Sequence, residues 1–443
     1  MLEGSIWDKV LKLAIPLALT SILQQCLNAG DVLIAGKYLS PDALAAVGAN
    51  GIVINLSVNL FVGISIGANV ICAQYLGANN LSGVSKTVHT SIIVGVVGGI
   101  ILAIAGHFFA KPLLLYLDTP HDILDYATDY LRFFLIGAPF LILYNFLAAL
   151  FRSKGDIWRP FYVMLVASLA NYLLNNLFVA KWGFGIEGLA IATVLALTLA
   201  ALTMLYFLYR EEGALSFQPQ NLHFDLAIFT KISKIGIPAG LQGMVFSISN
   251  IIIQIALNNL GSAVVAATTT ALIYELITFF ILSSFGQAAT TLVGQNYGAR
   301  NLDRCKAIAK WCLGLNFILT GLICIAGYIL AEQFTRIFTT DALIIAYSVT
   351  RIQYVVSFQF INMFIENVSA IMRGYGYSLV PAIICVLGAC VFRIIYVYTY
   401  YEANPTYETL LLVYPYSWLI TAIPMVIVYL RLIKKIDKNG VLD

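Results

Sequence analysis

Asp31 is the residue whose placement most needs a chemical reason, because it interrupts the first long apolar run of the sequence, residues 10–36. Gln24, Asn28 and Asp31 fall at i, i+4 and i+7, which lines them along one stripe of a helix. A charge in hydrocarbon costs about 2.5–3.5 kcal/mol on insertion scales, so this carboxylate must face a cavity or a partner. There it can exchange a proton or hold a cation. Asn171 and Asn175 share a helix face at i, i+4, and a rise of about 1.5 Å per residue puts them and Thr193 in the same outer half of the membrane as Asp31. Two more carboxylates, Glu275 and Glu366, sit deep in apolar runs. Each could attract a cationic compound, supply a second coupling site, or make an interhelical hydrogen bond. Arg393 could pair with either across the C-lobe, which would be a structural use. Glu366 aligns with Asn145 across the repeat described below and so reads as the more structural of the two. Glu275 aligns with Val53 or Ile54 and reads as the cavity residue.

The elements that must position these groups are membrane helices. Of 443 residues, 60% are hydrophobic and 11% charged, with a mean hydropathy of +0.88, where a water-solvated chain carries roughly 25% charged residues. Apolar runs long enough to cross a hydrocarbon core of about 30 Å recur throughout. They predict helices near 10–36, 43–73, 90–115, 128–150, 160–183, 186–208, 232–259, 265–293, 308–332, 345–371, 379–402 and 409–433. Segments of about ten residues with strict alternation, the mark of a membrane β-barrel, do not appear. With the N-terminus inside, basic residues favour the inner side by about three to one, which puts both termini in the cytoplasm. The seven cysteines lie in or beside spans with no CxxC, and read as packing residues.

The sequence repeats itself. KLAIP at Lys12–Pro16 returns as KIGIP at Lys234–Pro238, AQYLGANNL at Ala73–Leu81 as GQNYGARNL at Gly294–Leu302, and FRSKGDIWRP at Phe151–Pro160 as MRGYGYSLVP at Met372–Pro381. All three pairs are 221 or 222 residues apart, a spacing that chance similarity between apolar helices would not hold through polar loops. The expected organisation is an N-lobe at 1–210, a cytoplasmic connector at 211–231 and a C-lobe at 232–443. Each lobe has six spans, so the repeats run parallel, and a cleft between them is where a transporter would bind its cargo. The same shift separates function from architecture. Asp31 maps to Ile252 or Ile253, and Asn171, Asn175 and Thr193 map to Phe392, Tyr396 and Tyr414, so the polar set belongs to one lobe.

KLAIPLAL, GDVLIAGKYLSPDALAAVGA, QYLGANN, GQNYGARN and the paired FRSKGD and MRGYGY loops, in this order and duplication, resemble a multidrug and toxic compound extrusion (MATE) transporter, of the DinF-like branch. The resemblance covers essentially the whole chain. It implies an all-α membrane fold of twelve helices in two pseudo-symmetric six-helix lobes set in a V. It also implies alternating access with bending of helix one, for which Pro16 offers the place, and efflux of cationic or amphipathic small molecules against H⁺ or Na⁺. Family members of this branch carry an Asp on helix one, an Asn and an Asp four residues apart on helix five, and a Thr on helix six. Asp31, Asn171 and Thr193 match. Asn175 stands where an Asp is more familiar, which leaves one carboxylate in the pocket, weakens a Na⁺ site by one formal charge and favours H⁺ as the coupling ion. Gln24, Asn28, Glu275 and Glu366 are the expected lining of the substrate cavity.

Other apparent motifs carry no chemistry. GFGIEG at Gly183–Gly188 matches G-x-G-x-x-G but has no strand before it, so it reads as a tight turn between helices. No GxxxxGK[ST] exists, the four histidines lack metal-ligand spacing, and no span holds a catalytic constellation. Neither enzyme activity, nor a cofactor beyond the coupling ion, nor nucleic-acid binding is expected. A monomer in the cytoplasmic membrane of a bacterium is. The competing expectation is a flippase for a lipid-linked saccharide precursor, which would need a strongly cationic cavity where this sequence offers mainly Arg393.

Overall fold

The computed structural model describes residues 1–117 and 119–440, with the side chains of Asn28, Ile52 and Asn439 outside that description. Eleven of its helices are long and apolar enough to cross a membrane, and a bent pair makes a twelfth span. They are α1 (Ile6–Tyr38), α2 (Pro41–Gly77), α3 (Leu81–Tyr116), α4 (His121–Ile136 and Ala138–Lys154, bent by 46°), α5 (Trp158–Lys181), α6 (Ile186–Tyr209), α7 (Leu226–Asn258), α8 (Ser262–Gly298), α9 (Leu302–Arg336), α10 (Ala342–Gly374), α11 (Leu379–Tyr401) and α12 (Tyr407–Lys438). No strand occurs among the described residues. The lipid-facing surface is apolar: Leu322, Ile325 and Ile329 on one stripe of α9 are each 59–65% exposed, which water would not tolerate over so many helices.

The repeat motifs have matching geometry. Asn79 (φ 54°) and Arg300 (φ 58°) both take the left-handed conformation that ends α2 and α8. Asn80 Oδ1 then accepts from the Gly83 amide at 2.9 Å, and Asn301 Oδ1 from the Arg304 amide at 3.1 Å, capping the next helix. In the second loop pair Gly155 (φ 95°) and Gly376 (φ 89°) occupy a region that side chains resist. Their amides close on the carbonyls of Arg152 and Arg373, both at 2.8 Å. The bend of α4 at Gly137 likewise has a counterpart in α10, a 3-10 turn at Val356–Phe358. The π-helical turn Asn176–Lys181 that finishes α5 matches Val397–Tyr401 at the end of α11.

The chain packs as two units, Leu19–Gly240 and Met1–Ala18 with Leu241–Asp443. Repeat similarity divides the sequence in the connector, whereas packing divides it inside α1 and α7. The first three turns of α1 belong with the second repeat, and the first four of α7 with the first. Pro16 and Pro238 each lie two residues before the exchange point. A proline inside a helix removes one i→i−4 hydrogen bond and crowds the preceding turn, so both helices are weakest where they pass from one unit to the other.

The start of α7 is held in the first unit by close backbone packing. Gly63 and Gly67 on α2 face Gly236 and Gly240 on α7, each pair spaced i, i+4. A Cβ on Gly63 would lie 2.1 Å from the Gly240 nitrogen, and one on Gly67 2.2 Å from the Ile232 oxygen. Small residues at this spacing let helices approach where lipid supplies no hydrophobic drive. Buried amides tie other helices together: Asn50 Nδ2 on α2 donates to the Ala127 carbonyl of α4 at 2.9 Å, and Asn316 on α9 and Asn367 on α10 both donate to Leu282 O of α8.

Candidate functional site

In the first unit α1, α5 and α6 bring Asp31, Asn171, Asn175 and Thr193 into direct contact. Asn175 Nδ2 donates to Asp31 Oδ1 at 2.7 Å, and the Thr193 hydroxyl reaches Asp31 Oδ2 at 2.8 Å. Asn171 Nδ2 donates to Thr193 Oγ1 at 3.0 Å, and Asn175 Nδ2 also approaches Asn171 Oδ1 at 3.2 Å. Tyr130 of α4 lies beside Asp31. Asp31 is 3% exposed and the two asparagines and the threonine no more than 1%. No cation lies within ion-pair distance of Asp31 among the described residues. Its charge is therefore balanced only by amide and hydroxyl dipoles, although a buried carboxylate without a cation is costly.

Two features let this cluster accept a change of proton count. The Thr193 hydroxyl has one proton and two acceptors, Asp31 Oδ2 and, at 3.1 Å, its own helix carbonyl Leu189 O. Asn175 Oδ1 is buried with no donor. When Asp31 is ionised, Thr193 and Asn175 both donate to it. When it is protonated, Thr193 can turn to Leu189 O and accept the carboxyl proton.

The stripe along α1 does not do what its spacing suggests. Gln24 is half-buried and makes no hydrogen bond to Asp31. The side chain of Asn28 lies outside the described residues. The amides on Asp31 come from α5, across a helix interface.

The second unit changes the assignments made for Glu275, Glu366 and Arg393. Glu275 is 7% exposed and held by Arg351, whose Nε donates to Oε1 at 2.6 Å and Nη2 to Oε2 at 3.1 Å. Its carboxylate is thus engaged by an arginine. Arg351, in the tenth of the apolar runs, is itself only 1% exposed. Arg393 pairs with neither glutamate; its partners are Ser417, Ser249 and Asn250. Glu366 is half-buried, with no hydrogen bond or ion pair among the described residues. Its neighbouring cation, Arg373, donates to Gln242 Oε1 at 3.2 Å and Ser369 Oγ at 2.9 Å. Glu366, read from sequence as the more structural carboxylate, is thus the one of the two without a hydrogen bond or ion pair among the described residues. Among the described residues, no group of three or more His, Cys, Asp or Glu is placed to hold a metal ion.

Two six-helix repeats, each with polar clusters buried among lipid-facing helices, define a multi-pass membrane transporter built from duplicated halves. The chain belongs to the MatE family, whose model matches residues 16–177 and again 238–399. The second match starts 222 residues after the first, the offset already read from the loops. "Probable multidrug resistance protein YoeA" of Bacillus subtilis is 28% identical over 395 residues, 87% of this chain and 84% of that protein. "Probable multidrug resistance protein NorM" of Thermotoga maritima is 27% identical over 389 residues, 85% of this chain and 82% of the relative. A crystal structure of MATE in complex with MaL6 has the same fold, with a TM-score of 0.92 at 21% identity over 99% of this chain and 98% of the other.

Proposed function

We propose that this transporter exports cationic and amphipathic small molecules by alternating access, driven by protons moving inward through Asp31. The observation that carries the reading is the Asp31–Asn175–Thr193 cluster, a single buried carboxylate with no cation whose neighbours can serve both its ionised and protonated forms. Asp31 takes a proton when its pocket is open to the outside and releases it after the pocket changes. The release is coupled to cargo through α1, which carries Asp31 beyond the exchange point at Ala18 and has in Pro16 a place to bend. Asn175 in place of a second carboxylate favours H⁺ over Na⁺, because a metal cation would find one formal negative charge where its dehydration calls for more. The proposed cation-recognition residue is Glu366. The names of the YoeA and NorM relatives support multidrug export, and the surplus of basic residues on the inner side supports cytoplasmic termini in a bacterial cytoplasmic membrane.

A flippase for a lipid-linked saccharide precursor is the weaker reading, since a pyrophosphate calls for several unpaired cations. Arg351 is neutralised by Glu275 and Arg373 is engaged by Gln242 and Ser369, which leaves Arg393 as a single cation with neutral partners. The separating experiment is uptake of a cationic fluorescent dye into proteoliposomes under an imposed pH gradient, an imposed Na⁺ gradient, or neither. Export driven by the pH gradient alone supports the proposal. A response to Na⁺ alone overturns the proton assignment, and no response to either overturns coupled antiport.

A further inference from the structure

We propose that the second unit contains an anion-binding site on Arg393, held by Ser249, Asn250 and Ser417 beside the Tyr414 ring. This goes beyond export of cations and does not rest on proton coupling. A shift of 221 carries Asn171 to Phe392, the neighbour of Arg393, and Thr193 to Tyr414, so Arg393 and Tyr414 stand on the helices that repeat α5 and α6. Arg393 centres a polar cluster within the second unit. Arg393 Nε donates to Ser417 Oγ at 2.9 Å, and Nη1 to Ser249 Oγ at 3.2 Å and Asn250 Oδ1 at 3.1 Å. The guanidinium carbon lies 4.9 Å from the centre of the Tyr414 ring, and that of Arg351 5.3 Å from the same centre.

A guanidinium has five N–H donors, and three of those on Arg393 are taken. The two on Nη2 have no acceptor among the described residues, and no carboxylate lies within ion-pair distance, although the side chain is 1% exposed. Ser249 and Ser417 donate their own protons to Ala389 O and Tyr414 O, so their oxygens are committed as acceptors that hold Arg393 in place. Arg351, against the same Tyr414 ring, also has a buried Nη1 with no hydrogen-bond partner. Glu275 cancels the charge of Arg351, which leaves the cluster with one uncompensated positive charge. A buried, unpaired cation is expensive, and a monovalent anion beside Nη2 would relieve both the charge and the unmade hydrogen bonds. A planar carboxylate fits a guanidinium edge, and a halide fits the same two donors. The anion is either free in solution or part of a zwitterionic substrate, and the chemistry at Arg393 is shared by both.

The test uses the full-length purified transporter in lipid nanodiscs. Thermal unfolding is followed while chloride or acetate replaces the bulky anion 2-(N-morpholino)ethanesulfonate at constant ionic strength. In parallel, binding of the zwitterion rhodamine 110 is compared with that of its methyl ester, rhodamine 123. A saturable rise in midpoint with chloride or acetate identifies a free anion, and tighter binding of the free acid identifies a substrate carboxylate. Either supports the site if Arg393→Gln weakens the response at least about tenfold, the loss expected for one charge-assisted hydrogen bond. Should Arg393→Gln not fold, Asn250→Asp supplies an internal carboxylate next to Nη1 and must abolish the same response. Neither anion nor free carboxylate favouring the wild-type protein, or variants responding as the wild type does, would overturn the proposal.

Discussion

Replacing Glu275 by Leu leaves Arg351 buried without a counter-charge, and replacing Arg351 by Met does the same to Glu275. Both side chains are almost fully enclosed, at 9% and 2% exposure, so water cannot compensate either loss. Breaking a buried pair from one side costs about 3–5 kcal/mol, whereas replacing both partners by apolar groups of similar volume is often neutral. Unfolding entropy near 2.1 cal/mol/K per residue, summed over either one unit or the whole chain, converts 4 kcal/mol into a midpoint drop of roughly 4–9 °C. Glu275→Leu and Arg351→Met should each lose that much, and the double variant should recover most of it. Some deficit should remain, because Arg351 also contacts the Tyr414 ring and its hydroxyl at 3.4 Å. The assay is a double-mutant cycle on thermal unfolding in one detergent, with dye export measured alongside. Additive single losses would refute the ion-pair reasoning. So would a Glu275→Gln protein of unchanged midpoint that fails to export cationic dyes while still exporting neutral ones, since that pattern makes Glu275 a substrate ligand.

Glu366→Gln should weaken export of cationic compounds severalfold and leave neutral ones near the wild-type rate, measured as paired transport assays; equal losses would make Glu366 structural. Gly63→Ala should force α2 and α7 apart, because the new methyl would meet the Gly240 backbone at 2.1–2.2 Å, and yield of folded protein should fall sharply. Glu211, beside the α6 terminus, pairs with Lys154 and Arg159. Burial alone would raise its pKa, but the hydrogen bonds and charges of these two cations outweigh it and hold the carboxyl below its usual value. A depressed folded-state value means that the stabilisation, up to about 1 kcal/mol for partners this exposed, is present above an unfolded value near 4.3. It is lost as pH falls through the folded one. Wild-type protein should therefore be slightly more stable than Glu211→Gln at pH 7, with the gap closing on acidification; a gap that widens in acid would contradict this.

The Asp31 cluster was legible in sequence because the repeat acts as an internal control. Positions polar in both halves belong to the shared architecture, and those polar in one half, such as Asp31, Asn171, Asn175 and Thr193, stand out. Depth counting then worked because each of these helices is regular up to the residue concerned. Arg351 was not legible in this way: it lies near the start of its apolar run, while α10 starts at Ala342 and carries it inside. Spacing within one helix also misled. Gln24, Asn28 and Asp31 share a stripe on α1, yet only packing decides which helix faces that stripe, and α5 supplies the amides. The exchange points in α1 and α7 are hidden for a related reason, since a continuous apolar helix gives no sign of where its neighbours change. Gly63-x-x-x-Gly67 and Gly236-x-x-x-Gly240 mark the close α2–α7 crossing and are recognisable as such only once the structure pairs them.

Proton-driven export through Asp31 is tested most directly by Asp31→Asn in proteoliposomes with an imposed pH gradient. Dye binding at equilibrium is measured on the same preparation. Asparagine has nearly the same shape and keeps partners for Asn175 and Thr193 but cannot exchange a proton. The variant should fold, bind dye within about threefold of wild type, a difference well under 1.4 kcal/mol, and show no export that depends on the gradient. Export at the wild-type rate under the same gradient would contradict the role of Asp31 and leave Glu366 as the remaining membrane carboxylate free to carry the coupling.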